Sequence, residues 1–368
     1  KRYTMHDYKN YLVTIKLFFS ARTMPRIVES GTQRIPWRLL IIGVLLGLAS
    51  PWIYFTFLRV NLEDVIKIGI APIMLTSSLI IIRLLIQGLR FYTFIKGSHV
   101  NFNPKIRECI LVRIGSEFVA ATSLSYIGDE LVRAGYLIMR GLDSGKALWI
   151  SYSETFYDVF MGTSITIIAA LYIILMIGDI TLGSILLMIT LPILFFYLFI
   201  FYTGLTGRTF SHTFEYFHDK VGRSSLLGKM INWLKETYSS FSSSLRLYHS
   251  SLNKYVILLN VFLTMVLSII YGLTVLIIYD AGGVRLEFFE SLLAAYSGVA
   301  LGVLPITLGG SGTTELGISL YIHSLKGEWA GAAVVAWRLA THITTLIISF
   351  VFLMFSLPLF MKKTQPAV

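Results

Sequence analysis

The stretch LPITLGGSGTTELG, residues 304 to 317, decides how the chain is read. It continues a strongly apolar run, yet it places four glycines, a series of hydroxyls and one carboxylate, Glu315, where an uninterrupted membrane helix would carry none of them. Proline and glycine break the helical hydrogen-bond ladder, and polar groups freed at membrane depth must be met by protein or by a wet cavity. The stretch therefore predicts a helix broken inside the bilayer, next to a polar site.

The rest of the chain supplies the membrane context. Of 368 residues, 55% are hydrophobic and 14% charged, with a mean hydropathy of +0.72, well outside the range of soluble domains, where about a quarter of residues are charged. Apolar runs long enough to cross a bilayer begin near Trp37, Ile68, Ala147, Thr181, Tyr255 and Trp329. The first 36 residues are polar and basic and lack the apolar core of a cleavable signal peptide. They place aromatic and aliphatic residues at helical spacing, as expected of an amphipathic helix lying on a membrane surface.

The net charge of +11 would suggest a nucleic-acid partner in a soluble protein. Here the basic residues cluster in particular loops, so the charge reads as the positive-inside bias and no nucleic acid is expected. The N-terminal segment, the Arg90 to Arg107 loop, the Arg208 to Lys254 segment and the tail with Lys362 and Lys363 are basic; the turn at Asp179 is acidic. Both termini are expected to be cytoplasmic, in a multi-pass protein of the cell membrane. The single cysteine, Cys109, excludes an internal disulfide and reads as a packing residue.

Both ends inside require an even number of crossings. Six spans meet that requirement if the glycine-interrupted regions 106–139 and 288–325 each enter and leave on one side, as re-entrant helical hairpins. The order span, span, hairpin, span then occurs twice, the second time starting from the other side. The predicted fold is therefore an all-α polytopic membrane protein with about six transmembrane helices and two hairpins in an inverted repeat, the plan of many secondary transporters. Its segments are an interfacial helix (1–36), a first repeat (37–178), a second repeat (179–358) with an amphipathic cytoplasmic insertion at 204–254, and a basic tail (359–368).

Charges inside spans are costly, about 2.5–3.5 kcal/mol each at a helix centre, so those present are expected to be paired or functional. Glu154 and Asp158 lie four apart after the first hairpin, and Arg338 and His342 lie four apart after the second. An inverted repeat would set the acidic pair opposite the basic one, either as a register-fixing salt bridge or as a site for a charged headgroup. Arg83 either reaches out to the interface or joins that site, and Arg113 is expected to pair with Glu117. Glu130 and Arg133 follow Gly128 at the first hairpin tip, where free helix amides beside an arginine would suit a phosphate.

Gly309, Gly310, Ser311 and Gly312 also fit G-x-S-G, a nucleophile motif of intramembrane serine proteases, with His342 one helix later. Short matches in Gly/Ser-rich turns are frequent by chance, and Ser311 reads more simply as a helix cap. Neither H-E-x-x-H nor a closely spaced aspartate cluster is present, so no metal or other cofactor is expected, and with no convincing catalytic constellation no enzymatic activity is expected either.

Four blocks taken together carry a resemblance. GDELVRA (128–134), SETFYD (153–158), PITLGGSGTTE (305–315) and Trp337-Arg338 resemble the lysylphosphatidylglycerol synthase transmembrane-region family, also called the flippase-like domain family. The resemblance puts Gly128, Glu130 and Arg133 on one family block with Asp129 inserted, and Glu154 and Asp158 on a second. Pro305, Gly309, Gly310, Gly312 and Glu315 fall on a third, with one extra residue after the proline. Thr155 stands where the family has arginine, which weakens the case for a lysyl-lipid substrate. The aminoacyl-transferase domain of the bacterial synthases is not in this sequence, so aminoacyl-lipid synthesis is not expected.

The resemblance implies a flippase-like transporter of an anionic or phosphate-bearing lipid, a phospholipid or a polyprenyl-phosphate-linked sugar. Arg133, Arg338 and glycine-rich amides would hold the headgroup, and Glu154, Asp158 and Glu315 would balance those cations or carry protons. A non-transporting anchor for a glycosyltransferase stays open as an alternative, as does a homo-oligomer.

Overall fold

The computed structural model of the chain describes residues 60–98, 102–122, 128–206, 254–304, 307 and 309–361, with a few positions between 239 and 245. The expected interfacial helix, the span from Trp37, most of the 204–254 insertion, Pro305 and the tail after 361 lie outside the described residues.

Those residues form ten helices. They are α1 (Leu62–Ile68), α2 (Ile70–Gly97), α3 (Ile106–Thr122), α4 (Asp129–Met139), α5 (Ser144–Tyr172, ending in a wide π turn, Ile173–Ile177), α6 (Ile180–Thr206), α7 (Lys254–Ala281), α8 (Phe288–Gly302), α9 (Thr313–Lys326) and α10. The last comprises Gly331–Arg338, a π turn Leu339–Ile343 and Thr344–Met361. Five of the ten, α2, α5, α6, α7 and α10, are long and apolar enough to cross a membrane, and each starts close to an apolar run seen in the sequence. The two interrupted regions are the helix pairs α3/α4 and α8/α9.

Local chemistry sets the ends. Asp143 caps α5, its carboxylate accepting from Gly145 N–H at 3.0 Å. Asp179 caps α6 in the same way through Leu182 N–H, also at 3.0 Å. On α6, large apolar side chains such as Met188 and Phe195 are 77% and 65% exposed, which is tolerable where the surroundings are lipid rather than water.

Apolar packing forms two main centres, one around each broken pair. Cys109, Val112, Ala134, Leu137 and Trp149 gather around α3/α4. Leu293, Ala295, Ile318, Tyr321 and Trp337 gather around α8/α9. The neighbours match as well: α2 packs on α3 and α7 on α8, α3 packs on α10 and α8 on α5, and α2 and α7 pack on each other.

Small residues set the helix spacing. Gly88 is the nineteenth residue of α2 and touches Ile110, the fifth of α3; Gly272 is the nineteenth of α7 and touches Leu292, the fifth of α8. A side-chain carbon added at either glycine would stand about 3 Å from the facing Cα (2.9 and 3.1 Å), so both crossings depend on a bare backbone.

One sequence expectation changes here. Arg90, read as part of a basic loop, lies inside α2, which continues to Gly97.

Candidate charged site at the helix breaks

Each break is followed by a helix whose first residues carry charge. Gly128 (φ 130) and Gly312 (φ 95) adopt positive φ immediately before α4 and α9, a conformation that side-chain-bearing residues rarely take. Glu154 then follows Gly128 at the interval at which Arg338 follows Gly312, and Asp158 and His342 come four residues later on α5 and α10. The charge order is reversed between the two places.

Glu154 is the hub of the first cluster. Fully buried, it accepts from Arg113 Nε at 3.1 Å, from Arg90 at 3.3 Å and from Arg133. Three helices, α2, α3 and α4, thus converge on one carboxylate of α5. Arg90 also makes a two-pronged contact with Asp158 (2.5 Å to Oδ2) and donates to Thr264 Oγ1 of α7 at 2.9 Å. Arg113 donates to Glu117 at 2.5 Å, the expected neighbour, and lies 3.7 Å from Asp129. Arg133 donates to Asp129 at 2.8 Å and to Thr155 Oγ1 at 3.0 Å, and Thr155 donates in turn to Glu130 at 3.2 Å.

The cluster holds three guanidiniums, Arg90, Arg113 and Arg133, against five carboxyls, Glu117, Asp129, Glu130, Glu154 and Asp158. A buried ion left without a partner costs several kcal/mol, so the arginines and Glu154 hold one another in place. Asp158 is the exception in accessibility, its side chain 37% exposed where that of Arg90 is fully buried.

The second cluster is smaller. Arg338, 3% exposed, places Nε 2.7 Å from Glu315 Oε1 and donates through NH2 to the Gly309 carbonyl and to Ser311 Oγ, both at 2.8 Å. Glu315 Oε2 accepts from Gly312 N–H at 2.7 Å, so Glu315 closes the first turn of α9. Gly310 contributes its carbonyl, accepting from Thr313 Oγ1 at 3.1 Å. His342 is buried, and its Nε2 has no hydrogen-bond partner among the described residues.

The two breaks meet. A methyl group on Gly309 would collide with the carbonyl of Ala121, near the end of α3. Between the clusters runs a polar seam along α7: Thr264 takes Arg90, Ser268 accepts from Tyr296 at 2.7 Å, and Thr274 accepts from Trp337 Nε1 at 2.9 Å.

Several expectations take a different form. Among the described residues no ion pair links the acidic pair of α5 to the basic pair of α10; Glu154 and Asp158 pair with arginines of α2, α3 and α4, Arg133 among them as expected, and Arg338 pairs with Glu315 of α9, one of the carboxylates expected to balance it. The reason is local: a nearby helix offers a partner at hydrogen-bond distance, so opposite charges need not meet across the molecule. Ser311 binds Arg338, and the cap of α9 is supplied by Glu315. Arg83 joins neither cluster but lies over the Tyr271 ring, 5.1 Å from its centroid, a cation–π contact.

Arg90 and Asp129 were missed as site residues. Arg90 follows Arg83 by seven residues, two helical turns, which places both on one side of α2 and was the available signal.

Residues 32–349 match the family described as lysylphosphatidylglycerol synthase TM region. No curated protein matches the chain.

Proposed function

This chain belongs to the lysylphosphatidylglycerol synthase transmembrane-region family, and on that footing we propose that it moves an anionic or phosphate-bearing lipid between leaflets. The observation that carries the reading is the pair of buried guanidinium–carboxylate centres beside two glycine-capped breaks that touch each other. Ionisable groups buried among apolar helices are expensive to keep, and a path for a polar headgroup is what they would serve.

In this reading α3/α4 and α8/α9 are re-entrant hairpins entering from opposite faces, and the two halves form an inverted repeat. The paired Gly88 and Gly272 crossings, the shared Gly-to-hub interval and the matched neighbours support it. Alternating exposure then amounts to a rocking of one half against the other about the clusters. The headgroup takes up guanidinium donors now held by carboxylates, while its tail stays among lipid-facing side chains. Both termini are cytoplasmic, and no covalent chemistry is assigned to Ser311 or His342. A phospholipid and a polyprenyl-phosphate-linked sugar both carry the phosphate this mechanism needs.

Purified chain reconstituted into liposomes with fluorescent headgroup-labelled anionic lipids tests the reading. Wild type should expose the label to an external quencher faster than empty liposomes, and Arg338→Ala and Glu154→Gln should slow it. Full scrambling in both variants would remove the clusters from the transport path.

A further inference from the structure

Arg83 stands halfway along α2, with 28 residues one of the helices long and apolar enough to cross a membrane. At about 1.5 Å per residue it lies roughly 20 Å from either end, too far for its side chain to reach out of the span. The guanidinium lies instead over the Tyr271 ring of α7, 5.1 Å from the centroid. Its Nε is buried without a hydrogen-bond partner, and among the described residues no carboxylate pairs with it. Residues 37–59 contain no acidic residue either. Arg90 and Arg338, the other arginines of the five membrane-length helices, each hold a carboxylate. Arginine keeps its charge in proteins, and a cation at bilayer depth is costly, so the surroundings of Arg83 favour an anion.

A second polar group adjoins it. Gln87 follows Arg83 by four residues, one helical turn, and Arg83, Gln87 and Arg90 fall within about 60° of one another around α2. Gln87 is 4% exposed, and its Oε1 has no hydrogen-bond partner among the described residues. A buried amide oxygen left without a donor is costly. Side by side, a guanidinium without a carboxylate and an amide without a donor suit a ligand that carries both an anion and a hydroxyl, as a phosphate ester of glycerol or of a sugar does.

The place lies between the two clusters. Arg90 meets Thr264 and Arg83 meets Tyr271, seven residues apart on each helix, so α2 and α7 run antiparallel. The Tyr271 ring meets Tyr296 edge-on at 6.0 Å and, at 5.8 Å, Trp337, the neighbour of Arg338. Ser77 of α2 donates to the Ala340 carbonyl of α10 at 3.2 Å. Arg83 thus falls six residues from the contact of α2 with α10 and seven from Arg90 in the first cluster. Resting on the transport reading above, we infer that Arg83 and Gln87 form a third anion-binding point, where the cargo's phosphate takes the guanidinium and an adjoining hydroxyl donates to the Gln87 amide as the headgroup passes between the clusters. No carboxylate competes for Arg83 among the described residues, so this point, rather than Arg338 with its bound Glu315, sets the affinity for the anion.

Native mass spectrometry of the purified full chain with phosphatidylglycerol, or with diacylglycerol of the same acyl chains, and calorimetry with inorganic phosphate test it. Arg83→Met should weaken binding of phosphatidylglycerol by about tenfold or more, the loss expected of a charge-assisted hydrogen bond, and leave diacylglycerol binding as it was. It should also melt like wild type in the absence of ligand, since it strands no carboxylate. Weaker binding of phosphatidylglycerol but not of inorganic phosphate supports the site and assigns it to a lipid headgroup; the reverse supports it and assigns it to the free anion. Unchanged binding of both, or an equal loss of diacylglycerol, overturns the inference. Should Arg83→Met fail to fold, Gln87→Leu decides: it must weaken phosphatidylglycerol binding several-fold, and an unchanged affinity overturns the site. Binding is read here without transport, so weakened binding in a chain that does not scramble lipid keeps the site and loses the flippase reading, and unchanged binding in a chain that scrambles does the opposite.

Discussion

Ser324 of α9 donates a 2.7 Å hydrogen bond to Asp179, the residue that caps α6 in the turn after α5. One carboxylate thus ties the end of the second broken pair to the reversal between two spans. Its acceptor bonds, first from Leu182 N–H and then from Ser324, hold the Asp179 carboxyl below the usual carboxylate range. A carboxylate depressed in the folded state contributes stability that is present above its unfolded value, about 3.9, and lost as pH falls through the folded one. Melting in detergent should therefore decline below about pH 4, and Asp179→Ala should melt lower than wild type at neutral pH while losing part of that acid dependence. An unchanged acid limb would remove Asp179 from it.

Glu154 binds three guanidiniums, so its replacement strands all of them. Breaking a buried pair by removing one partner costs about 3–5 kcal/mol, and Glu154→Leu is expected at or above that range. Thermal denaturation in detergent checks it, and a shift no larger than that of a lipid-facing substitution such as Met188→Leu would refute the hub role.

Arg90→Lys separates charge from geometry. Lysine keeps the positive charge but cannot reproduce the two-pronged hold on Asp158 together with the bond to Thr264. A loss of about 1.5–3 kcal/mol is expected, with the size set by the charged hydrogen bonds forfeited. A Thr264→Val, Arg90→Lys double variant should then lose less than the sum of the two singles.

Gly309 and Gly135 form a paired test of the meeting point between the breaks. A methyl at Gly309 strikes the Ala121 carbonyl, whereas one at Gly135 in α4 meets no atom of the described residues within 4 Å. Gly309→Ala should destabilise by about 1–3 kcal/mol through overpacking and slow lipid movement. Gly135→Ala should leave lipid movement alone and stabilise by about 0.5–1 kcal/mol through helix propensity. Equal melting temperatures for the two variants would show that the breaks do not touch.

Much of this was readable in advance because hydropathy acts over whole segments. The runs from Ile68, Ala147, Thr181, Tyr255 and Trp329 became α2, α5, α6, α7 and α10, and the glycine interruptions became the two broken pairs. Arg113 with Glu117 was legible because four residues along a helix are neighbours. Arg90 was not, since an arginine near the end of an apolar run looks like the start of a basic loop. Its partner Asp158 lies 68 residues away, and no local pattern announces such a contact. Glu315 was among the carboxylates expected to balance Arg133 and Arg338, and it is Arg338 that it meets.

The unequal exposure within the first cluster gives that cluster a polarity. Glu154 and Arg90 are sealed, while Asp158 presents over a third of its side chain to its surroundings. Asp158 is thus the open end of a relay of contacts that runs through Arg90 to Glu154, so a change on its exposed side reaches the buried carboxylate by way of one guanidinium.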